Sequence, residues 1–124
     1  MAILKTYARV WSDDMDTALR PLADLVGAEC DLRFEFGDVE VAAIGDFLVI
    51  AGPSEAAAKL PSATTTVIVS DLEEVQRLLA THAAKITFGP TTGPTGSYFF
   101  ARHQDGAEVE YVQWTSELEA RILK

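Results

Sequence analysis

Hydrophobic and polar positions alternate with a period of two from Leu4 to Trp11, which predicts a strand. Tyr7, Arg9 and Trp11 fall on one face of it and Thr6, Ala8 and Val10 on the other. The period then changes. After Ser12-Asp13-Asp14-Met15-Asp16 the apolar residues Ala18, Leu19, Leu22, Leu25 and Val26 recur at helical spacing and stop at Gly27, a good residue just past a helix end. Acidic residues in the first turn suit the helix dipole, whereas Pro21 is expected to kink the helix or split it in two. Two β-rich runs, Cys30–Phe36 and Val39–Ile44, flank the turn pair Gly37-Asp38 and predict a hairpin. A third run, Phe47–Ala51, follows Gly45-Asp46 and ends at Gly52-Pro53, so the first half is strand, helix and three strands.

The same order returns after a linker over 54–61, which has room for a short helical turn. The β-branched run Thr64–Val69 leads into Ser70-Asp71-Leu72-Glu73, where Ser70 is expected to cap a helix and Glu73 to reach back to the Ser70 backbone N–H. The helix is predicted over Leu72–Ala83, with Val75, Leu78 and Leu79 as its apolar stripe. Strands follow over Lys85–Phe88, Tyr98–Arg102 and Glu108–Trp114. Between the first two lies Gly89–Gly96, rich in glycine and proline and expected to be a flexible loop, either a lid over a ligand or a simple connector. The tail 116–124 has the pattern of an amphipathic helix, with Leu118, Ile122 and Leu123 apolar. Two strand-to-helix junctions in corresponding places predict a duplicated unit, with modules over 3–53 and 62–115 in a single domain.

Composition narrows the possibilities. At 124 residues with 48% hydrophobic side chains, the chain is expected to bury one real core, and disorder is disfavoured. The lone Cys30 has no disulfide partner and is expected to be a packed thiol. No basic start leads into an apolar stretch, and no apolar run reaches the ~20 residues that span a bilayer, so a cytoplasmic protein without membrane association is expected. A formal net charge of −9, from 19 acidic and 10 basic residues, disfavours nucleic acid as a partner. The acidity suits a cationic or neutral partner, or merely keeps a small protein in solution. For the Tyr7, Arg9, Trp11 face two readings stand side by side: a ligand surface or interface, or an ordinary core face with Arg9 paired to an acid.

The paired strand–helix–three-strand order resembles the vicinal oxygen chelate superfamily, which includes glyoxalase I, extradiol dioxygenases and bleomycin-resistance type binding proteins. Three pieces carry the resemblance: Val10-Trp11-Ser12-Asp13-Asp14, Val67-Ile68-Val69-Ser70-Asp71-Leu72, and Gln104-Asp105-Gly106-Ala107-Glu108-Val109-Glu110, similar to the family's late DPDGN-type strand. The rival arrangement is a ferredoxin-like α+β domain. The resemblance implies an α+β fold in which two paired βαβββ modules form a curved mixed sheet with a concave cavity. It also implies a homodimer.

Metal-dependent members of that superfamily place four ligands, usually histidine and glutamate, on the first and last strand of each half. Counting back from the junction aspartates puts Tyr7 and Thr64 at the two histidine places, Val49 at or near the third, and Glu110 at the fourth. Only Glu110 is a ligand residue, so no metal and no cofactor is expected. His82 and His103 lie off the predicted inner face, and nucleophile and phosphate-binding motifs are absent.

On this reading Tyr7, Arg9, Trp11, Phe47, Val49, Glu110 and Trp114 line a mostly apolar wall of the kind that binds small molecules. Glu110 either pairs with Arg9, meets a cationic ligand or acts as a general base, while Trp11 and Trp114 suit a planar ligand. The implied function is a metal-free binding protein that sequesters a small aromatic or cationic molecule such as an antibiotic. The alternative is a metal-dependent lyase, isomerase or dioxygenase of the same superfamily, and a third is a structural dimerisation module.

Overall fold

The computed structural model describes residues 2–123. It is an α+β protein whose elements run β1 (Ile3–Ser12), α1 (Met15–Val26), β2 (Leu32–Phe36), β3 (Val39–Ile44), β4 (Phe47–Ala51), α2 (Ser54–Ala57), β5 (Thr65–Val69), α3 (Leu72–Ala80), β6 (Lys85–Gly93), β7 (Gly96–Arg102), β8 (Glu108–Trp114) and α4 (Ser116–Ile122). These are two βαβββ modules. Among the described residues one compact unit covers 7–61, and the other covers 62–123 together with 2–6, so β1 contributes to both. Among the described residues no helix is long and apolar enough to cross a membrane.

In the first module the strand order is β2-β3-β4-β1. β1 pairs in parallel with β4, with Ala8 opposite Phe47, Arg9 opposite Leu48, Val10 opposite Val49 and Trp11 opposite Ile50; the other neighbours are antiparallel. Helix α1 starts because the Asp14 carboxylate accepts from the Thr17 backbone N–H at 2.9 Å and from its hydroxyl at 2.6 Å. It ends because Gly27 takes a left-handed conformation, with φ of 79°, and donates its N–H to the Ala23 carbonyl. Pro21 neither splits nor ends it, and the helix is continuous through that residue. Its apolar side, from Met15, Ala18, Leu19, Leu22, Ala23 and Val26, packs on Ala42, Ile44, Val49 and Ala51, and this packing outweighs the one backbone bond proline removes. Arg33 ties the outer strands to the helix by bonding Glu40 at 2.6 Å and Asp16 at 3.1 Å. Cys30 is a half-buried free thiol against the same cluster.

In the second module the order is β5-β8-β7-β6. β5 and β8 are parallel, while β8, β7 and β6 are antiparallel. Ala2 bonds Ser70 on both sides, donating to its hydroxyl and accepting from its backbone N–H, and this holds the start of β1 within the module. The cap of α3 is therefore not Ser70 but Asp71, whose carboxylate accepts from Glu74 N–H at 3.2 Å. Gln113 supplies a second acceptor, to Leu72 N–H at 2.8 Å. The helix is shorter than its hydrophobic pattern predicts, ending at Ala80, and it packs Leu72, Val75 and Leu79 on Val67, Val69, Phe99, Ala101 and Tyr111.

The expected loop over Gly89–Gly96 is mostly strand. β6 continues to Gly93 and pairs with β7, with Thr91 opposite Tyr98 and Gly93 opposite Gly96. Pro90 is tolerated because the pairing shifts register between Phe88 and Thr91, so no ladder bond is asked of it. At Gly96 the chain needs glycine: φ is 144°, and an added Cβ would sit 2.1 Å from the Gln113 carbonyl oxygen.

Candidate functional site

The side chains of the second module separate cleanly by strand alternation. Val67, Val69, Phe99, Ala101, Val109 and Tyr111 pack under α3, which leaves Thr66, Tyr98, Phe100 and Glu110 on the opposite face. Register then aligns them. Thr66 on β5 stands opposite Glu110 on β8, Glu110 opposite Phe100 on β7, and Phe100 opposite Phe88 on β6. One lateral row therefore crosses four strands from a hydroxyl through a carboxylate to two aromatic rings.

Each member of the row is fixed by a different force. The buried Thr66 hydroxyl donates to Glu110 Oε1 at 2.7 Å, a charge-assisted bond that selects one rotamer of the carboxylate. Phe88, Tyr98 and Phe100 form a trio with ring centroids 6.0 to 6.2 Å apart, one pair stacked and two edge-on. Tyr98 and Phe100 are buried, but Phe88 is 45% exposed. Burial pushes the Tyr98 phenol above its ordinary pKa, and the Glu110 charge adds to the shift, so Tyr98 stays neutral and can donate.

Trp114 is buried on the same alternation as Glu110, two pairs along β8. The other expected residues belong to the first module. Tyr7 is buried, and its phenol is raised well beyond the ordinary range, first by desolvation and then by the charges of Asp31 and Asp46. The Arg9 guanidinium lies 5.4 Å from the centre of the Trp11 ring, a cation–π contact at a tryptophan that is 40% exposed. Phe47 and Val49 require a correction. Both pack against α1 with Val10, so they face away from Tyr7, Arg9 and Trp11. The residues opposite Arg9 and Trp11 are Leu48 and Ile50. A one-residue slip in register accounts for the error, because it moves a strand's side chains to the other face.

The aligned register also revises the donor places. Arg9 precedes the cap Asp14 by as many residues as Thr66 precedes the cap Asp71, so the Arg9–Leu48 pair corresponds to Thr66–Glu110. A guanidinium repels a divalent cation and a leucine cannot bind one. With Thr66 in place of Thr64 and Leu48 in place of Val49, the set still offers a single carboxylate, which does not fit a divalent ion. Among the described residues no group of three His, Cys, Asp or Glu side chains could hold a metal.

Three residues of this face, Phe88, Tyr98 and Phe100, were not expected to take part. Alternation within Tyr98–Arg102 would have placed Tyr98 and Phe100 together, but nothing local tells which face of that strand is turned to α3. His103 is on neither expected surface. Its ring stacks on Tyr111, and Nε2 shares a hydrogen bond of 2.6 Å with the phenol, closing the turn that enters β8.

No family model and no curated protein matches the chain. Solved structures do. A hypothetical protein from Methanosarcina mazei shares 33% identity over 93% of this chain and 95% of its own, with a TM-score of 0.86. Methylmalonyl-CoA epimerase from Mycobacterium tuberculosis superposes with a TM-score of 0.72 at 17% identity, over 95% of this chain and 93% of its own. The Streptomyces coelicolor methylmalonyl-CoA epimerase, in complex with 2-nitronate-propionyl-CoA, gives 0.70 at 12% identity, over 93% and 97%. The two epimerases share the fold across nearly their whole length.

Proposed function

We propose that the chain, which shares the fold of the two epimerases, is a vicinal oxygen chelate protein that binds a small organic molecule, such as an antibiotic or similar metabolite, without a metal ion. The observation that carries this reading is the row Thr66, Glu110, Phe100, Phe88, in which one oriented carboxylate adjoins an apolar aromatic surface. Sites for small molecules combine mostly apolar walls with few, well-placed polar groups. The donor places point the same way, since Arg9 and Leu48 stand where ligands would be needed. The test is metal analysis of protein purified without chelator, then fluorescence titration of the two tryptophans with a panel of aromatic and cationic metabolites. Saturable quenching by metal-free protein supports binding. Stoichiometric zinc, nickel or manganese, or no response to any compound of the panel, refutes it.

A second reading has its own support. The named structures of the same fold are epimerases, so the comparisons lean toward an isomerase where the donor set leans toward simple binding. As an isomerase, the protein would use Glu110 to take a proton from carbon beside a carbonyl, with the neutral Tyr98 phenol as a hydrogen-bond donor on the same face. Proton magnetic resonance in heavy water separates the two. Loss of the α-proton signal of methylmalonyl-CoA with wild-type protein, abolished by Glu110→Gln, selects the isomerase.

A further inference from the structure

The end strands of the two modules are built differently. β6, last in the order of the second module, carries Pro90 and shifts register twice against β7, features that spoil an edge for pairing with another chain. β2, at the end of the first module's order, has no proline, glycine or bulge, and it pairs with β3 residue for residue from Leu32 to Phe36. Among the described residues no strand lies on its other side, so its outward N–H and C=O groups form a regular template for a further strand. We infer that β2 pairs with β2 of a second copy of the chain, antiparallel and centred on Phe34.

In that register Leu32-Arg33-Phe34-Glu35-Phe36 is its own complement. A reversed copy sets Arg33 opposite the partner's Glu35, Glu35 opposite the partner's Arg33, Leu32 opposite the partner's Phe36, and Phe34 opposite itself, the arrangement a two-fold axis requires. Directly opposed residues share a face of a sheet. Arg33 reaches Asp16 on α1, so both charge pairs lie on the helix side, while the half-buried Leu32, Phe34 and Phe36 meet on the other. A slip of two residues in either direction sets Arg33 or Glu35 against its own copy, so charge selects this register. The pairing also balances Glu35. Within the chain Glu35 stands directly opposite Glu40, Arg33 is bonded to Glu40, and no cation among the described residues pairs with Glu35. Arg33 uses Nε and one N–H of each terminal nitrogen for Glu40 and Asp16, which leaves one N–H on each terminal nitrogen for a second carboxylate.

Sedimentation velocity of the full chain from ~1 to ~500 μM should show reversible dimerisation with a Kd of ~10–100 μM, the weak class to which a single strand pair belongs. Hydrogen exchange followed by mass spectrometry below and above that concentration should add protection over 32–36 and none over 85–93. Glu35→Lys separates association from folding. Inside the chain the lysine faces Glu40 and replaces a like-charge opposition with an attractive one, so Tm is expected to hold or rise. Across the edge it faces the partner's Arg33, twice by symmetry, and dimer affinity should fall ~10-fold or more. The same change reduces the net charge of −9, which by itself favours association, so a weaker dimer reports the specific pair. Monomer at every concentration, which leaves the edge to some other extended segment, overturns the inference. So does a dimer that Glu35→Lys leaves intact, or one whose protection falls outside β2.

Discussion

Replacing Thr66 by valine tests whether the Thr66–Glu110 bond orders the row. Valine keeps the β-branched shape of threonine, so the buried site stays filled and only the hydroxyl is lost. The lost interaction is a 2.7 Å hydrogen bond to a carboxylate, and bonds to charged groups contribute ~1.5–3 kcal/mol. Glu110 is half-buried, so water can reoccupy part of the vacated position, and the loss falls around or just below the low end of that range, at about 1–2 kcal/mol. For a chain of this size that corresponds to a fall in Tm of roughly 4–8 °C. Urea denaturation followed by far-ultraviolet circular dichroism should show an unchanged slope and a midpoint lowered by about 0.5–1 M. Thr66→Ser restores the donor and should recover most of the loss beyond that of one methyl group. In the Glu110→Gln background the valine substitution should cost less, because the charge that made the bond strong is gone. If Thr66→Val is within about 0.5 kcal/mol of wild type, or no less stable than Thr66→Ser, then the bond does not order the carboxylate.

Other expectations follow from single positions. Gly96→Ala places its Cβ 2.1 Å from the Gln113 carbonyl oxygen and should cost more than about 4 kcal/mol, leaving insoluble or unfolded protein. Gly37→Ala, at φ of +60° with open space around the new methyl, should cost only ~1 kcal/mol in the same denaturation assay. Tyr7, Tyr98 and Tyr111 all have phenols raised by burial, so their contribution to stability is complete below the ordinary value of 10.0 and is lost as the pH rises from there through the folded values. Melting curves at increasing alkaline pH should show this loss, and Tyr7→Phe should flatten it. Asp14 shows the opposite sign: its carboxyl is held below the ordinary 3.8 by the side-chain and backbone bonds from Thr17, so its contribution is present above that value and fades as the pH falls through the depressed one. Asp14→Ala should remove that part of the acid dependence.

How much of this was legible in the sequence depends on the distance over which each feature is encoded. The two strand-to-helix junctions are local, and the cap and the Gly27 stop could be recognised from a few residues each. The cap of α3 moved by one residue because Ser70 is claimed by Ala2, a partner 68 positions away that no local motif reveals. The span from Gly89 to Gly96 misled for a related reason. Its prolines and glycines have loop composition, yet a register shift beside Pro90 and the close approach at Gly96 let the chain pair as strand.

The candidate site shows the same division more sharply. Glu110 was found from its place in a late motif, but its surroundings depend on which residues stand opposite it on β5 and β7, and sequence periodicity gives a strand's two faces without assigning either to the core. Hence Phe47 and Val49 were exchanged for Leu48 and Ile50, and Phe88, Tyr98 and Phe100 were overlooked. The slip changes which residues stand at the donor places but not their kind. Val49 and Leu48 are equally unable to bind a cation, Thr64 and Thr66 are both neutral hydroxyls, and substituting Arg9 for Tyr7 puts a positive charge where a metal would need a donor. What the corrected register adds is the identity of Glu110's neighbours. Glu110 lies between Thr66 on one side and Phe100 on the other, a setting in which a carboxylate can transfer a proton at the edge of an apolar surface. The α-proton of a thioester decides whether that setting is used, since its exchange in heavy water requires a bond to hydrogen to break, whereas simple binding leaves it intact.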